Sequence, residues 1–158
     1  MAKLNFFKGM ALGIGLCGLV AAGSVLAASE RHDATEQQNI ATVLALYNAA
    51  LNDKDWDEAR KYLGDRYTQH NPTAKDGPEG LHGYIEFLKK TYPENHGEIK
   101  QVIADGDMVV LHVHSKRTPD SLGNAIVDIF KLENGKVVEH WDVIQPIPET
   151  SANDNTMF

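Results

Sequence analysis

The sequence predicts an α+β domain, and two features of its patterning carry that prediction. Up to Tyr92 the apolar residues recur at helical spacings; from Glu98 onward they alternate with polar ones, in runs separated by Gly- and Asn-containing turns. Helices grouped ahead of an antiparallel run of strands give segregated helices on one sheet, not the alternating order of an α/β fold. With 158 residues, 42% hydrophobic and 23% charged, the chain holds one such domain and not two.

The N-terminal stretch stands apart from that domain. Lys3 and Lys8 form a positive leader, Met10 to Val20 an apolar run, and Val25 to Ala27 a small-residue cleavage site. Residues 1–28 are therefore expected to be a signal peptide and 29–158 a single mature domain of about 130 residues, enough for a real core. Location would be periplasmic or secreted, with no stable membrane insertion after cleavage. Gly9 to Ala28 is uncharged and near bilayer length, which leaves an uncleaved anchor as the alternative, although its five glycines and the cleavage site favour a signal. Leu16 before Cys17 does not suit lipoprotein processing, which wants a small residue there. Cleavage removes Cys17, the only cysteine, so no disulfide is expected despite export. It also removes two lysines, so the net charge of −7 becomes more negative still. An acidic surface without a basic cluster argues against nucleic acid and anionic membranes as partners.

Asp33 with Glu36 forms a capping box, and Ile40, Val43, Leu44, Tyr47 and Leu51 follow as one buried helical stripe. Asn52 to Lys54 turns the chain into a short helix, Asp55 to Leu63, burying Trp56, Ala59 and Leu63, with Gly64 at its end. Asp65 to His70 is extended and closes at Asn71-Pro72, because the residue before proline avoids helical geometry. Pro78 suits a first helical turn, and Leu81, Tyr84, Ile85 and Leu88 make the stripe of a third helix. Strands then cover Ile99 to Ala104, Met108 to Lys116, Ala125 to Lys131 and Lys136 to Ile144, the first two joined by a tight turn at Asp105-Gly106.

Titratable groups sit on those strands where apolar ones would be cheaper: His112 and His114, Asp128, His140 and Asp142. Hairpin loops fix register, so turn positions indicate which of these groups meet. A loop around Thr118 to Leu122 sets His112 opposite Asp128. A turn at Glu133 to Gly135 sets Phe130 opposite Val138 and Asp128 opposite His140. Asp128 would then stand between two histidines on one face, with His114 and Asp142 one step along; a one-residue slip would scatter the set. The other face would carry Val109, Leu111, Val113, Val127, Ile129, Trp141 and Val143. Three short helices cannot cover both faces. They are expected to cap the polar face as a cone, leaving the aliphatic face for a homodimer.

Helices followed by a curved four-strand meander resemble the nuclear transport factor 2-like superfamily. Within it, Val127 to Asp142 (VDIFKLENGKVVEHWD) resembles the SnoaL-like branch, named for a polyketide cyclase that performs an intramolecular aldol condensation. Tyr67 to Pro72 (YTQHNP) and Ser151 to Phe158 are similar to a bacterial subgroup of SnoaL-like condensing enzymes. The resemblance covers the mature chain and implies a cone-shaped fold with about three N-terminal helices on a strongly curved, mostly antiparallel sheet. In the cyclases a cavity aspartate acts as acid and base beside a histidine. The motif carries that role onto Asp128, with His112 as the preferred partner and His140 as the other. The family is mostly metal-free, so neither metal nor cofactor is expected.

Asp128, flanked on its face by Ile126 and Phe130, could serve as a base near neutral pH if burial outweighs a neighbouring histidine. His112 or His140 would donate to the developing enolate. His70, Asn71, His114, Asp142 and Phe130 are the candidates for contacting a small hydrophobic carbonyl substrate. Two other readings stay open: a non-catalytic binder of a small apolar molecule, and a metal held by His112 and His114 with His140, Asp128 or His70. No phosphate loop, serine elbow or cysteine nucleophile occurs.

Overall fold

The computed structural model describes residues 33–158. The segment expected to be a signal peptide lies outside them. Helix α1 (Ala34–Tyr47) continues through one wide turn at Asn48–Asn52; α2 (Trp56–Ala59) is short, and α3 (Gly77–Thr91) is the longest. Five strands follow the order β1 (Leu63–Gln69), β5 (Lys136–Pro146), β4 (Asn124–Glu133), β3 (Met108–Lys116) and β2 (His96–Asp105) across one sheet. All neighbours are antiparallel except β1 and β5. The class is α+β, as the patterning predicts, and the piece at Asp65 to His70 extends into a fifth, parallel strand. Leu63 and Gly64 open that strand instead of ending the helix before it. Among the described residues no helix is long and apolar enough to cross a membrane.

The capping box forms: Asp33 Oδ1 accepts from the Glu36 amide at 2.9 Å, and Glu36 Oε2 accepts from the Asp33 amide at 3.1 Å. A cap of this kind stabilises a helix by about 1 kcal/mol. Packing contributes more. Val43, Ile85, Leu88, Val109, Leu111, Val113 and Val137 are fully enclosed where α1 and α3 meet the sheet. Each such side chain contributes roughly 1.5–3 kcal/mol through burial.

Two local devices set which strand residues face those helices. Ser115 pairs with Asn124, so Leu111, not His112, lies opposite Asp128. The hairpin closes one residue away from a symmetric loop because Gly123, at φ +84°, crosses the Ser115 carbonyl where a Cβ would come within 2.3 Å. Only glycine fits there. In the next hairpin Asn134 and Gly135 both have positive φ, the two-residue turn that matches strand twist, and Glu133 pairs with Lys136. Beyond it the register shifts between Lys131 and Leu132, leaving Val138 as an extra residue. Gly64 on β1 makes room, since a Cβ there would lie 2.8 Å from Val138.

The expected faces are corrected accordingly. Val109, Leu111 and Val113 are core, packed under the helices. His112 and His114 fall on the outer face with Val127, Ile129, Trp141 and Val143, one residue out of step with the register predicted from the loop.

Candidate active site

A cavity of about 440 Å³ lies between the inner face of the sheet, α1 and α3. Asp128, Phe130, His140 and Asp142 line it from the strands, Asn71 from the loop after β1, and Tyr47, Tyr67 and Gln69 from α1 and β1. Asp128 lies directly opposite Asp142, and Phe130 opposite His140. His140 therefore reaches Asp128 diagonally across the β4–β5 ladder. The bulge at Val138 makes this contact. Without the extra residue, pairing from Glu133 and Lys136 would carry Trp141 opposite Asp128 and turn His140 outward.

His140 is held at both nitrogens. Nδ1 lies 3.1 Å from Gln69 Oε1, and Nε2 lies 3.1 Å from Asp128 Oδ1. Gln69 Oε1 also accepts from the Asn71 backbone amide at 2.9 Å, which fixes the oxygen on that side of the carboxamide. An amide oxygen only accepts, so Nδ1 must carry a hydrogen. One further proton is then shared between His140 Nε2 and Asp128 Oδ1.

Asp128 is 5% exposed, and its Oδ2 is buried with no hydrogen-bond partner among the described residues. Burial pushes its pKa above the ordinary carboxylate range, and the bond and charge of His140 oppose that rise. Asp142 is handled differently: the Asn71 Nδ2 group donates to both its oxygens, at 2.7 and 2.8 Å. Of two facing aspartates, one is saturated and the other keeps a bare oxygen. Tyr67, 6.4 Å from His140 ring to ring, accepts from Gln69 Nε2 at 3.3 Å, so its own hydrogen is free to be donated into the cavity. Burial, and then the charges of Asp128 and Asp142, hold the Tyr67 hydroxyl well above the ordinary phenol range. The same effects, burial before Asp128, hold Tyr47 protonated.

The remaining candidates lie elsewhere. His112 and His114 meet Phe158 on the outer face, with ring centroids at 5.3 and 4.8 Å, and His114 Nε2 bonds the Leu122 carbonyl at 2.8 Å. His112 is thus no partner of Asp128. His70 also turns outward, stacking on Trp141 at 4.3 Å and meeting Glu139 at 3.1 Å. Consecutive residues of an extended strand point to opposite sides, so Gln69 takes the inner position and His70 the outer. The metal alternative changes with the register, because the pair at 112 and 114 shares no space with Asp128. Among the described residues, the groups that could hold an ion are Asp128, His140 and Asp142, each offering one ligand atom within 4.8 Å of the others. An ion there would have to displace the Asn71 amide hydrogens from Asp142 and break the Asp128–His140 bond.

The sequence reading assigns no site role to Gln69 or Tyr67. Polar Gln69 between aromatic Tyr67 and the turn at Asn71-Pro72 was the available signal, since a strand ending at a cavity points alternate residues into it.

Comparison with known proteins agrees with the fold. No curated protein sequence matches the chain. Solved structures do: a candidate polyketide cyclase from Bacillus cereus (20% identity, TM-score 0.60, over 68% of this chain and 74% of that one); TsrD from Streptomyces laurentii (25% identity, TM-score 0.55, over 73% and 91%); and an NTF2-like protein of unknown function from Cytophaga hutchinsonii (19% identity, TM-score 0.58, over 68% and 90%). The family model for the SnoaL-like domain matches residues 43–140, from the core of α1 through both Asp128 and His140. On that match over more than half its length, and on the nuclear transport factor 2-like fold, the chain belongs to the SnoaL-like domain family.

Proposed function

We propose that this protein moves a proton at carbon next to a carbonyl, as in an aldol-type cyclisation or an isomerisation, on a small hydrophobic substrate in the inner cavity. The observation that carries the reading is the buried, unpartnered Oδ2 of Asp128. A polar atom left so costs about 1–3 kcal/mol, and folds keep that cost mainly where a ligand supplies the partner. In the form that acts, the shared proton sits on His140 and Asp128 is a carboxylate. Oδ2 takes the substrate hydrogen, the C–H electron pair becomes an enolate, and the aspartate–histidine pair carries one positive charge beside it. Tyr67 donates to the enolate oxygen, where a hydrogen bond gains most as charge develops. Return of the proton from Oδ2 to oxygen or carbon closes the cycle, with no oxidant or cofactor in the balance.

Hydrogen exchange tests this without knowledge of the natural substrate. Hydrophobic ketones and 1,3-diketones incubated with the protein in deuterated water should lose α-hydrogen signal at least a hundredfold faster than in buffer, and Asp128→Asn should abolish the gain. Exchange undiminished in that variant, or absent across the panel, would sink the proposal in favour of a simple binding module.

Export and pairing of two copies are part of the same reading. The leader, apolar run and cleavage site of residues 1–28 support export. N-terminal sequencing of periplasmic protein should begin at Ala28 or Ser29. Ile103, Val127 and Val143, exposed on the outer face, support a homodimer there.

A further inference from the structure

From Arg117, which lines the far end of the cavity, we infer that the ligand is an anion: an apolar ring system bearing a carboxylate or similar group. This rests on the cavity being the binding site, as proposed above, and adds the chemical class of what enters it. Leu111, Val113, Ser115 and Arg117 alternate onto the inner face of β3 and the residue just beyond it, so the arginine points to the same side as Asp128.

Three features mark its guanidinium as a built site. First, it is fixed: Nη2 donates to the Tyr84 hydroxyl at 2.7 Å, and the cation lies 5.5 Å from the Tyr84 ring and 5.2 Å from the Tyr92 ring. Two aromatic faces hold a planar cation without neutralising it. Second, no carboxylate stands within ion-pair distance of it among the described residues, in a chain with 22 acidic residues against 15 basic ones. Third, Nη1 is buried with no hydrogen-bond acceptor among the described residues. A guanidinium so placed lacks the bidentate anion its geometry suits best.

The two ends of the cavity complement each other. Asp128 and Asp142 at one end repel an anion, while Arg117, Ser115 and Asn124 at the other attract one. Asn124 lies four residues from Asp128 along β4, so the polar ends are ~13 Å apart by strand rise. The walls between are Ile126, Leu81 and Leu88. A ligand of two or three rings, anionic at one end and acidic at carbon near the other, matches that span. Arg117 is then a specificity residue that anchors the molecule with its reacting carbon over Asp128.

The test compares 2-naphthoate and anthracene-2-carboxylate with their primary amides, by calorimetry on the full mature chain. The acids should bind about tenfold tighter or more, the size expected of a charge-assisted bidentate contact. Arg117→Gln should bring acid and amide within twofold of each other, and Arg117→Lys should keep part of the preference. Acids no tighter than amides in the unaltered protein would overturn the inference, and that measurement needs no variant to fold. A preference that survives Arg117→Gln but is lost in Lys75→Gln would overturn it too, by placing the anion on the exposed lysine at the rim. Because binding is read apart from exchange, the acid preference can hold while the proton-transfer reading fails, and the reverse.

Discussion

The two faces of the sheet carry nearly the same residue types and put them to opposite uses. On the inner face His140 has both nitrogens committed, Asp142 is saturated by Asn71, and only one oxygen, on Asp128, is left bare. On the outer face His70 stacks on Trp141 while His112 and His114 meet Phe158, and none of the three lines the cavity. The number of histidines on a sheet therefore says little. What separates a site from a surface is whether the groups share an enclosed space and whether one is left without a partner.

The comparison breaks most sharply at Asp128. Asp128→Asn should lower turnover by about a thousandfold or more, because the amide keeps the bond to His140 but has no basic oxygen. His140→Gln should lower it by roughly 10- to 100-fold, since Asp128 keeps its base and loses the neighbour that offsets the charge. Steady-state rates on any substrate found by the exchange screen check both. Equal losses from either variant and from His112→Gln would erase the distinction between the faces.

How much of this the sequence disclosed follows from what periodicity can and cannot carry. The helices, their capping box and the strand alternation depend on local spacing, and all are legible. Asp128, Asp142, Phe130 and Asn71 line the cavity where the reading of alternation and turns set them. The histidine partner depends on register, and register depends on single residues. Gly123 against the Ser115 carbonyl moves one hairpin by one position, which sends His112 and His114 to the outer face. In the next hairpin a shorter turn and the Val138 bulge each move the strand by one, so parity is restored and His140 stays inside. Asp128 has a histidine beside it through two compensating shifts that no spacing rule announces. Arg117 was illegible for another reason: its lack of an acid partner is a property of the fold around it, not of its own segment.

Gln69 offers a finer test of the inner face. Gln69→Leu removes the acceptor from His140 Nδ1 and also from the Asn71 amide, so the hydrogen on the ring is no longer confined to one nitrogen. Turnover should fall about tenfold, and nitrogen-15 chemical shifts of the His140 ring should change from a single tautomer to a mixture. A ring that stays in one form would show that Asp128 alone sets it.

Stability should run against activity at Asp128. Its folded pKa lies above that of a free aspartate (~3.9), so the folded protein holds this proton more tightly than the unfolded chain. The stabilisation is complete below the free-aspartate value and is lost as pH rises through the folded pKa. Asp128→Asn has no such loss. Its Tm should match the wild type near pH 4, rise above it as pH increases, and hold a gap of a few degrees once the wild-type carboxyl is ionised. Thermal melts across pH 4–8 read the sign directly; a gap that shrinks with pH would mean that His140 stabilises the carboxylate more than burial penalises it.

The smallest expected effect comes from the outer histidines, and it bears on the comparison because it should be near zero for activity. His112 and His114 are separated from Asp128 by the thickness of the sheet, and their rings meet Phe158, over which Lys100 also lies at 5.6 Å. The double change His112→Gln and His114→Gln removes two ring contacts and the His114 bond to the Leu122 carbonyl. Ring contacts of this kind contribute about 0.5–1.5 kcal/mol each, so the Tm should fall by a few degrees while turnover stays within twofold. Deleting Phe158 should reproduce the stability loss alone, and adding that deletion to the double variant should lower Tm little further, because both remove the same contacts. A larger loss of activity would mean that the outer face reaches the cavity through β3, whose Leu111 packs directly opposite Asp128.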